Sequence, residues 1–400
     1  MIGALSMSEP VPVLMYHSVA PPIEGWAFEY LSIHPDVFED HISTLAGAGY
    51  VAVTLADLFD YVAGKRRLPP KAIVLTFDDG YLDNWVFAFP ILRKYGFKGT
   101  VFASTDFVDR RDRTSPNLDD AREGRARHED LQWRGFLSIA EMKRMLLSDI
   151  MDVQGHCKTH TWYYTSPEIV DYHHPGDGRP WLAWNARPER KPLYLSEDQS
   201  GFVRWGAPVY AYSAAMTARR YFPDPRVEKT VCDHVEAEGG AGFFDKPDWR
   251  EELDGISESI IGMGLDDRYE TQEERMTRLR EEVTLSKQEL AALLGKAIDF
   301  LCWPNGAYDG AAVDVAGQAG YLAWTLSSRD RGTRKNVPGE DPSWIRRYAA
   351  SPWWYFRGNK VCTLDGELLK RMMDAYKGFR FAGMRLKWHK LGRLIRSYLA

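Results

Sequence analysis

The sequence predicts an α/β fold in which buried parallel strands alternate with helices. Residues 72–77 are a short run of apolar and β-branched residues, which is typical of a buried strand. Residues 81–95 have a helical pattern, and residues 99–103 form the next apolar strand. The order strand, helix, strand indicates a parallel sheet, because parallel neighbours need a crossover connection. The 400 residues suffice for one large α/β domain with an insertion, or for two domains.

The rest of the chain supplies further elements of the same kinds. Further strands are predicted at residues 11–19, 51–53, 297–303, 320–326 and 344–348, and helices at residues 35–48, 55–62, 138–147 and 273–294. Pro35 opens the first of these helices, and Ser138 with Glu141 forms a capping-box pattern at the start of another. The charged stretch 109–130 is predicted to be a solvated loop.

Composition and charge are those of an ordinary globular protein. Hydrophobic residues make up 44% of the chain and charged residues 27%, and the net charge of -5 gives no general reason to expect a nucleic-acid partner. The four cysteines are widely spaced, so neither a disulfide framework nor a zinc ribbon is indicated. The first ten residues lack the features of a secretory signal, and no stretch has the apolar length of a membrane span. We therefore expect a cytoplasmic protein.

Two adjacent carboxylates follow the strand 72–77. Asp78 and Asp79 stand at the strand end, and Gly80 after them lets the backbone turn sharply. Like charges at the mouth of a sheet disfavour each other's ionisation, and a bound cation or one shared proton relieves this. A solvated Asp-Asp-Gly turn is the alternative.

A histidine pair strengthens the interpretation as a metal site. His156 and His160 are four residues apart, so they lie on one face of a helical turn or bracket a tight loop. Either arrangement brings both imidazoles to one metal. One carboxylate and two histidines, with positions left open for water, are typical of a hydrolytic metal site.

With both motifs considered together, the chain resembles the metal-dependent polysaccharide deacetylases of carbohydrate esterase family four, also called the NodB homology family. Thr-Phe-Asp-Asp-Gly at residues 76–80 looks like the first motif of that family, and His156-x-x-x-His160 looks like the second. The resemblance implies a distorted (β/α) barrel of about seven parallel strands. It also implies a divalent metal, with zinc expected first and cobalt, nickel or iron(II) as alternatives.

The resemblance assigns roles to individual residues. In this family the first aspartate is the catalytic base, and the second aspartate binds the metal with the two histidines. Asp78 is therefore expected to be the base, and Asp79, His156 and His160 the ligands. The Met-Tyr-His strand near the N-terminus is similar to that of poly-β-1,6-N-acetylglucosamine N-deacetylases, in which it supplies the catalytic acid, so His17 is expected to be the acid. A structural histidine is the alternative for His17.

A third motif and two later residues complete the predicted site. Residues 303–308, Trp-Pro-Asn-Gly-Ala-Tyr, resemble the family's third motif, whose backbone N–H groups help to hold the oxyanion, and this role is carried to the backbone near Tyr308. A plain Pro-Asn-Gly turn is the alternative. The residues expected to contact the substrate are Trp303, Pro304, Asn305 and Trp324, the last as a wall of the acetyl pocket. Arg347, rather than Arg346, is expected to pair with Asp78 because it precedes an apolar residue; both can equally be surface residues.

Between residues 162 and 272 the alternation of strand and helix fades. A structureless loop of this length is improbable in a compact domain, so an ordered insertion that covers one face of the barrel is predicted. Its aromatic residues either line a substrate groove or form a small core, and they include Trp181, Trp184, Trp205, Tyr210 and Tyr212. His173 and His174 are expected at the surface. The chain thus divides into a first part of the barrel (1–161), the insertion (162–272), a second part of the barrel (273–376) and a basic tail (377–400).

The basic tail has an amphipathic helical pattern. Residues 377–400 contain seven Lys or Arg and no Asp or Glu. In a helix, one face carries Met384, Trp388, Leu391, Ile395 and Leu399, with Arg385, Lys390, Arg393 and Arg396 largely opposite. This pattern suits a helix that lies on an anionic membrane surface, and a helix docked on the barrel has the same pattern.

The function implied is a metal-dependent hydrolase that removes N-acetyl groups from amino sugars in a polysaccharide or a lipid-linked glycan, at the cytoplasmic face of the membrane if the tail attaches there. A metal ion would activate the attacking water and the amide carbonyl, with Asp78 as base and His17 as acid. The alternatives are another C–N or ester hydrolase on this scaffold, such as a cyclic-amide hydrolase or an O-acetyl esterase, and a catalytically silent carbohydrate-binding protein.

Overall fold

The computed structural model describes residues 9–327, 335–356 and 359–399. The strands in these residues are β1 (Val13–Tyr16), β2 (Ser18–Val19), β3 (Ser32–Ile33), β4 (Val51–Ala52), β5 (Ala72–Phe77), β6 (Gly99–Ala103), β7 (Met151–Gly155), β8 (Trp162–Tyr172), β9 (Pro208–Ala214), β10 (Tyr221–Phe222), β11 (Arg268–Tyr269), β12 (Phe300–Leu301), β13 (Ala323–Thr325), β14 (Trp344–Ile345), β15 (Tyr348–Ala349), β16 (Trp353–Phe356) and β17 (Asn359–Thr363).

The α-helices in the same residues are α1 (Pro35–Gly47), α2 (Leu55–Val62), α3 (Phe89–Tyr95), α4 (Leu118–Arg122), α5 (Ile139–Leu147), α6 (Trp181–Ala186), α7 (Pro225–Ala237), α8 (Trp249–Ile261), α9 (Gln272–Arg280), α10 (Ser286–Leu294), α11 (Gly310–Gln318), α12 (Gly366–Tyr376) and α13 (Ala382–Leu399). Two π-helical turns adjoin this set, Asn84–Ala88 before α3 and Glu281–Leu285 between α9 and α10.

A parallel sheet forms the centre of the fold. Its strands run in the order β14-β13-β12-β7-β6-β5-β1-β15, and β4 pairs with the outer part of β5. Every pairing within this sheet is parallel. The predicted α/β class and the strand, helix, strand order are therefore confirmed.

The segment 344–349 curls the sheet into a barrel. Its first half, β14, pairs with β13 at one edge, and its second half, β15, pairs with β1 at the other edge. Because only Arg346 and Arg347 separate the two halves, the two sheet edges must lie close together. With this segment counted once, the barrel has about seven strands, as the resemblance implied. The single last strand predicted at 344–348 is thus two short strands.

Alternation along each strand decides which side chains point into the barrel. On β5, Val74 belongs to an apolar cluster with Val13, Phe102 and Phe300 and with α2, whereas Ile73 and Leu75 belong to the cluster formed with α1 and α3. Side chains two residues apart share a face, so the next residues on the Val74 side are Thr76 and Asp78. Asp78, the base predicted from the sequence, therefore points into the barrel.

The strand register brings the predicted site residues to one rim. Tyr16 lies opposite Phe77, Ala103 opposite Gly155, and Gly155 opposite Leu301. The residues that follow three of these strand ends are His17, Asp78 and His156. Because the strands are parallel, these residues leave the sheet at the same end, which is where such folds carry their sites.

The insertion 162–272 is ordered in the structure. Its long antiparallel hairpin, β8 with β9, precedes α7 and α8, and these elements share a core of Tyr172, Val227, Val231, Val235, Phe243 and Leu253. The prediction of a surface position is wrong for His173. The ring of His173 is buried, because it stacks on Trp205 with 4.7 Å between ring centroids and lies 3.1 Å from a carboxylate oxygen of Asp177.

Two further differences from the predicted elements have local causes. The stretch 109–130 contains the short helix α4, which Asn117 and Asp120 start with a capping box that the charge count does not reveal. The predicted helix 273–294 is present but is interrupted by the π-helical turn Glu281–Leu285. No helix in the described ranges combines the length and apolar character needed to cross a bilayer.

Candidate active site

A cavity of about 310 Å³ opens at the carboxyl end of the barrel strands. The predicted residues that line it are His17, Asp78, Asp79, His156, His160, Trp184, Trp303, Asn305 and Arg347. These residues come from both parts of the barrel and from the insertion, so the fold collects them from segments that are far apart in the chain.

Asp78 and Arg347 form a buried ion pair at the base of the cavity. Arg347 Nη1 lies 2.6 Å from Asp78 Oδ1, and Nη2 lies 2.9 Å from Oδ2, which is a two-pronged contact. Burial alone would raise the pKa of Asp78, but the charges of Arg347 and His17 and the hydrogen bonds from Arg347 together outweigh burial, so the pKa lies below its ordinary value. The predicted pairing with Arg347 is present, and Arg346 instead lies over the ring of Tyr348.

Asp79 turns in a different direction because of its backbone. Its φ of 75° lies in the left-handed region, which is strained for a residue with a side chain, and Gly80 follows with a φ of 76°. Asp79 Oδ1 lies 3.1 Å from Nε2 of His156 and 3.1 Å from Nε2 of His160. Burial would raise the pKa of Asp79, but His160 and His156 lower it well below its ordinary value.

The two histidines are held by a tight loop after β7 rather than by a helical turn. Cys157 and His160 both have left-handed φ values, 58° and 44°, which fold the loop back so that the two rings approach to 4.9 Å between centroids. His156 Nδ1 lies 2.7 Å from the carbonyl oxygen of Cys302. Since a carbonyl only accepts, Nδ1 carries the proton, and Nε2 is the nitrogen that faces Asp79.

The donor set of Asp79, His156 and His160 fits a divalent metal. One ligand atom from each of the three lies within 4.8 Å of the others. The protonated Nδ1 of His156 leaves an Nε2 lone pair facing a carboxylate oxygen, and a cation between them satisfies both. Asp78, His156 and Cys302 form a second group within the same distance. That group is less suited, since Arg347 contacts both oxygens of Asp78.

His17 is fixed beside Asp78 by residues that follow the first motif. His17 Nε2 lies 3.8 Å from Asp78 Oδ2. The Asn84 side chain donates to the His17 carbonyl at 2.9 Å, and Asp83 accepts from the Val19 N–H at 2.9 Å. Burial lowers the pKa of His17, although the two nearby carboxylates act in the opposite direction.

The third motif contributes only part of its predicted residues to the cavity. Trp303 and Asn305 line the cavity, whereas Tyr308, Pro304 and Trp324 are not among the described lining residues. Tyr308 packs between the rings of Trp303 and Trp344. The N–H groups of Gly306 and Ala307 donate within the loop, to the carbonyls of Trp303 and Pro304.

Trp324 lies outside the cavity rather than in its predicted place in the acetyl pocket, because it belongs to the apolar cluster that also contains Ile73 and Leu75. Its side chain is buried and packs edge-on against Trp344, with 5.5 Å between ring centroids. Leu326, two residues later and past the end of β13, lines the cavity instead. The strand predicted at 320–326 is present but shorter, since β13 spans Ala323–Thr325.

The sequence interpretation missed most of the cavity's aromatic wall. That wall consists of Phe28, Tyr30, Tyr81, Phe107, Phe136, Trp162, Trp184 and Tyr194. Phe28 and Trp162 are nearly parallel, at 10° with 6.5 Å between centroids, although Phe28 lies between β2 and β3 and Trp162 begins the insertion. Of the aromatic residues singled out in the insertion, only Trp184 lines the cavity, and Trp181 is buried in the same cluster. Aromatic content was the only available signal, and it does not give position.

Comparisons with known proteins agree with the motifs. Residues 65–174 match the model of the polysaccharide deacetylase family. The Bacillus subtilis protein YxkH, described provisionally as a polysaccharide deacetylase, is 35% identical over 92 residues, which is 23% of this chain and 31% of that protein. The poly-β-1,6-N-acetyl-D-glucosamine N-deacetylase of Escherichia coli is 35% identical over 66 residues, 16% of this chain and 10% of that protein. The matched regions are therefore less than a third of either relative's length.

The fold agrees with a solved structure over nearly its whole length. A de-N-acetylase from Aggregatibacter actinomycetemcomitans superposes with a TM-score of 0.54 and covers 88% of this chain and 98% of its own, at 18% identity. This likeness concerns the fold. The family match spans both Asp78-Asp79 and the loop that carries His156 and His160, so residues 65–174 are similar to the polysaccharide deacetylase family, and the described chain has the fold of a solved de-N-acetylase.

Proposed function

We propose that the protein is a metal-dependent hydrolase that removes N-acetyl groups from amino sugars in a polysaccharide or lipid-linked glycan. The observation that carries the proposal is the convergence of His17, Asp78, Asp79, His156 and His160 on one cavity beside a buried arginine. The family match of residues 65–174 and the N-deacetylase activity named for the E. coli relative support it.

Asp79, His156 and His160 would hold the metal. Two imidazoles with one carboxylate suit zinc, and cobalt, nickel or iron(II) accept the same donors, whereas magnesium and calcium prefer oxygen ligands alone. When bound, such an ion would supply Lewis acidity, lowering the pKa of a water and polarising the amide carbonyl.

The residues around the metal site would carry out the proton transfers. Asp78 is held ionised by Arg347 and would take a proton from the attacking water. His17, with its Nε2 3.8 Å from Asp78 Oδ2, would deliver a proton to the departing amine, which cannot leave as an anion. Because burial favours the neutral ring, His17 would become protonated during turnover rather than in the resting protein.

The remaining predicted residues would bind the substrate. Trp303 and Asn305 at the cavity wall would contact the acetyl group, and Pro304 between them would shape their loop. The backbone near Tyr308 would contribute to the oxyanion site. Rings such as Phe28 and Trp162 offer flat apolar faces to the C–H faces of a sugar.

Acetate release tests this proposal. We would supply N-acetylglucosamine oligomers and lipid-linked N-acetyl sugars with zinc or cobalt, and run a chelated sample beside them. The expected result is acetate release that the chelator abolishes and that Asp78→Asn reduces at least 100-fold with metal content unchanged. Asp112→Asn, at an exposed aspartate, is the matched control and should keep full activity.

Two results would favour the alternatives. Release from O-acetyl esters or ring opening of cyclic amides, with none from N-acetyl sugars, would assign a different hydrolase. Sugar binding with less than one metal per chain and no turnover would indicate a silent carbohydrate-binding protein.

We also propose that the protein acts at the cytoplasmic face of the membrane, attached through α13. Met384, Trp388 and Leu391 lie on one face of this helix, and their side chains are 53%, 69% and 45% exposed. Exposed Arg385 and Lys387 lie on either side of that face. Ile395 and Leu399 would continue the face, but their side chains lie outside the described residues.

The opposite side of α13 faces the protein through polar contacts. Arg393 bonds the carbonyl of Thr363 at 3.3 Å and pairs with Asp365, and Lys390 lies over the ring of Trp354. Leu386 on the same inner side packs against the core, so α13 docks through this side and leaves the face of Met384, Trp388 and Leu391 exposed. An apolar outer face with flanking cations supports binding to an anionic bilayer, where the rings enter the interface and the cations meet lipid phosphates.

Flotation with vesicles tests the attachment. The protein should float with vesicles containing phosphatidylglycerol, less so at high salt, and not with neutral phosphatidylcholine vesicles. The double variant Trp388→Ser, Leu391→Ser should stay in solution, while Leu147→Ser, at another highly exposed apolar side chain, should float like the parent. If the parent stays in solution with anionic vesicles, the attachment is wrong.

A further inference from the structure

Thr159, the residue before the predicted ligand His160, is held at three of its atoms. Its N–H donates to Glu282 Oε2 at 2.9 Å, and its hydroxyl donates to Glu282 Oε1. Its carbonyl accepts from Lys191 Nζ at 2.8 Å. The Lys158 N–H also donates to Glu282 Oε2, at 3.2 Å. The histidine loop, residues 156–160, is therefore held by two charged side chains, Glu282 and Lys191.

Glu282 reaches the loop from the π-helical turn Glu281–Leu285. Its side chain is buried with the residue only 2% exposed, and its own carbonyl accepts from the Ser286 hydroxyl at 2.6 Å. A π-helical turn widens the helix by one residue, is rare, and is often found at functional sites. A buried carboxylate that accepts three hydrogen bonds from a single loop is well placed to fix that loop.

Lys191 reaches the loop from the insertion. It lies in the 3-10 segment Pro188–Leu193 and is 1% exposed. Its ammonium pairs with Asp106 at 3.1 Å, and Asp106 also pairs with Lys158 at 2.7 Å. The charge of Lys191 is thus compensated inside the protein, and its remaining hydrogen-bonding capacity is used on the Thr159 carbonyl.

The backbone of the loop needs such support. Cys157 and His160 both adopt left-handed conformations without being glycine, and such strain persists only where surrounding contacts enforce it. The bonds to Thr159 lie between these two residues. Without them, the loop can relax toward ordinary φ values, and the His160 ring moves away from Asp79.

We propose that Glu282 and Lys191 are positioning residues that hold His160 in its metal-binding geometry, so that the insertion is a structural part of the metal site. The inference rests on the proposed function in that His160 is taken to be a ligand. The proposal predicts that the contact from Lys191, in the insertion, controls the affinity of the site for the metal. No other residue of the insertion needs to contact the loop for this effect.

Metal affinity of the purified full-length protein tests the proposal. Zinc dissociation constants would be measured by competition with a chelating dye for the parent, Glu282→Gln and Lys191→Met. Glutamine keeps the shape of glutamate but has no charge and only one acceptor oxygen, so the charge-assisted bonds from the loop are weakened and the bond to the Thr159 hydroxyl must reverse. Glu282→Gln should therefore bind zinc at least tenfold more weakly, as should Lys191→Met. Glu281→Gln, at the exposed neighbouring residue, should bind zinc like the parent.

The cobalt spectrum separates positioning from general stability. If Glu282 sets the ligand geometry, the visible bands of the cobalt-loaded Glu282→Gln protein shift from those of the parent, while Glu281→Gln leaves them unchanged. Parent-like affinity and parent-like cobalt bands in both Glu282→Gln and Lys191→Met would overturn the proposal. A parent protein that binds no zinc, with Asp79→Asn indistinguishable from it, would instead overturn the proposed metal site itself.

Discussion

At the scale of single residues, two neighbouring carboxylates have opposite surroundings. Asp78 continues the alternation of β5 into the barrel and meets Arg347, whereas Asp79, with its left-handed backbone, turns toward the two histidines. Adjacent aspartates would ordinarily repel each other, and here Asp78 contacts a guanidinium while Asp79 contacts two imidazoles. The division of roles proposed for the two carboxylates thus depends on the left-handed backbone of Asp79.

Removing the arginine should damage both activity and stability. Arg347→Gln leaves Asp78 buried without its partner, and breaking a buried pair in this way costs about 3–5 kcal/mol. The pKa of Asp78 rises because the Arg347 charge no longer lowers it, so the acidic limb of the rate profile moves to higher pH. Acetate release measured against pH, with chemical denaturation beside it, checks both effects.

Arg346→Gln is the matched control for that experiment, because the Arg346 side chain lies over the ring of Tyr348, whereas Arg347 contacts Asp78. Its rate profile should coincide with that of the parent. Equal profiles for Arg347→Gln and the parent would contradict the role given to the ion pair.

Asp83 should make stability depend on pH. Burial raises its pKa to about 7, against the hydrogen bonds from Ser18, Val19 and Asn84, which lower it. The native state therefore keeps a proton that the unfolded chain loses near pH 4. This contribution to the free energy of unfolding is present in full below pH 4, falls as pH rises, and is gone above about pH 7.

Asp83→Asn, which cannot ionise, tests this directly. Between pH 4 and pH 7 the free energy of unfolding of the parent should decrease relative to that of the variant, by up to about 4 kcal/mol for a shift of this size. Asp112→Asn, at an exposed site, should track the parent across the range. A constant difference between the parent and Asp83→Asn would show that Asp83 does not titrate there.

At the scale of secondary-structure elements, two π-helical turns carry residues that hold site loops. Asn84 begins one of them and bonds the carbonyl of His17, and Glu282 lies in the other and bonds the loop before His160. The first turn leads into α3, and the second separates α9 from α10. In both places, a residue of the widened turn forms a hydrogen bond that supports a neighbouring loop.

The capping box of α5 is a separate element-scale feature that should affect stability alone. The Ser138 hydroxyl accepts from the Glu141 N–H at 3.1 Å, and the Glu141 side chain accepts from the Ser138 N–H at 2.8 Å. Ser138→Ala should lower the free energy of unfolding by about 1 kcal/mol and leave acetate release unchanged. Ser148→Ala, at the other end of the helix, should cost less; an equal loss would argue against the cap.

The strands and caps were predictable because their signals are local. Residues 72–77 alternate between two buried faces, and Ser138 with Glu141 has capping-box spacing, so both were found from neighbouring residues alone. The ligands and base were suggested by short motifs with a family resemblance. Glu282 and Lys191 could not be found in this way, because both contact Thr159 from far away in the sequence. Lys191 is more than thirty residues from Thr159, and Glu282 is more than a hundred. The π-helical turns likewise have no sequence pattern of their own.

At the scale of the whole molecule, the proposed metal would connect segments that are distant in sequence. Asp79 follows β5 and the two histidines follow β7, so a bound ion joins the rims of separate strands. Binding to the native state alone stabilises it, by about 2.7 kcal/mol when the free metal is at 100 times its dissociation constant. Zinc should therefore raise the melting temperature, and a chelator should reverse the rise.

His160→Ala is the variant that tests this link. It removes one ligand at the partly exposed edge of the site, so its melting temperature should no longer respond to zinc. His174→Ala, which removes a histidine from the insertion, should respond like the parent. A zinc response that survives in His160→Ala would show that the ion binds elsewhere.

The segment 344–349 gives the molecule an order of assembly. The two residues that join its halves close the barrel, and one of them is Arg347, the partner of Asp78. Every other proposed catalytic or metal-binding group is encoded earlier in the chain, so a nascent chain holds both carboxylates and both histidines before it holds the charge that keeps Asp78 ionised. Closure of the barrel and the pairing of Asp78 with Arg347 therefore depend on the same segment, and a nascent chain that ends before this segment lacks both.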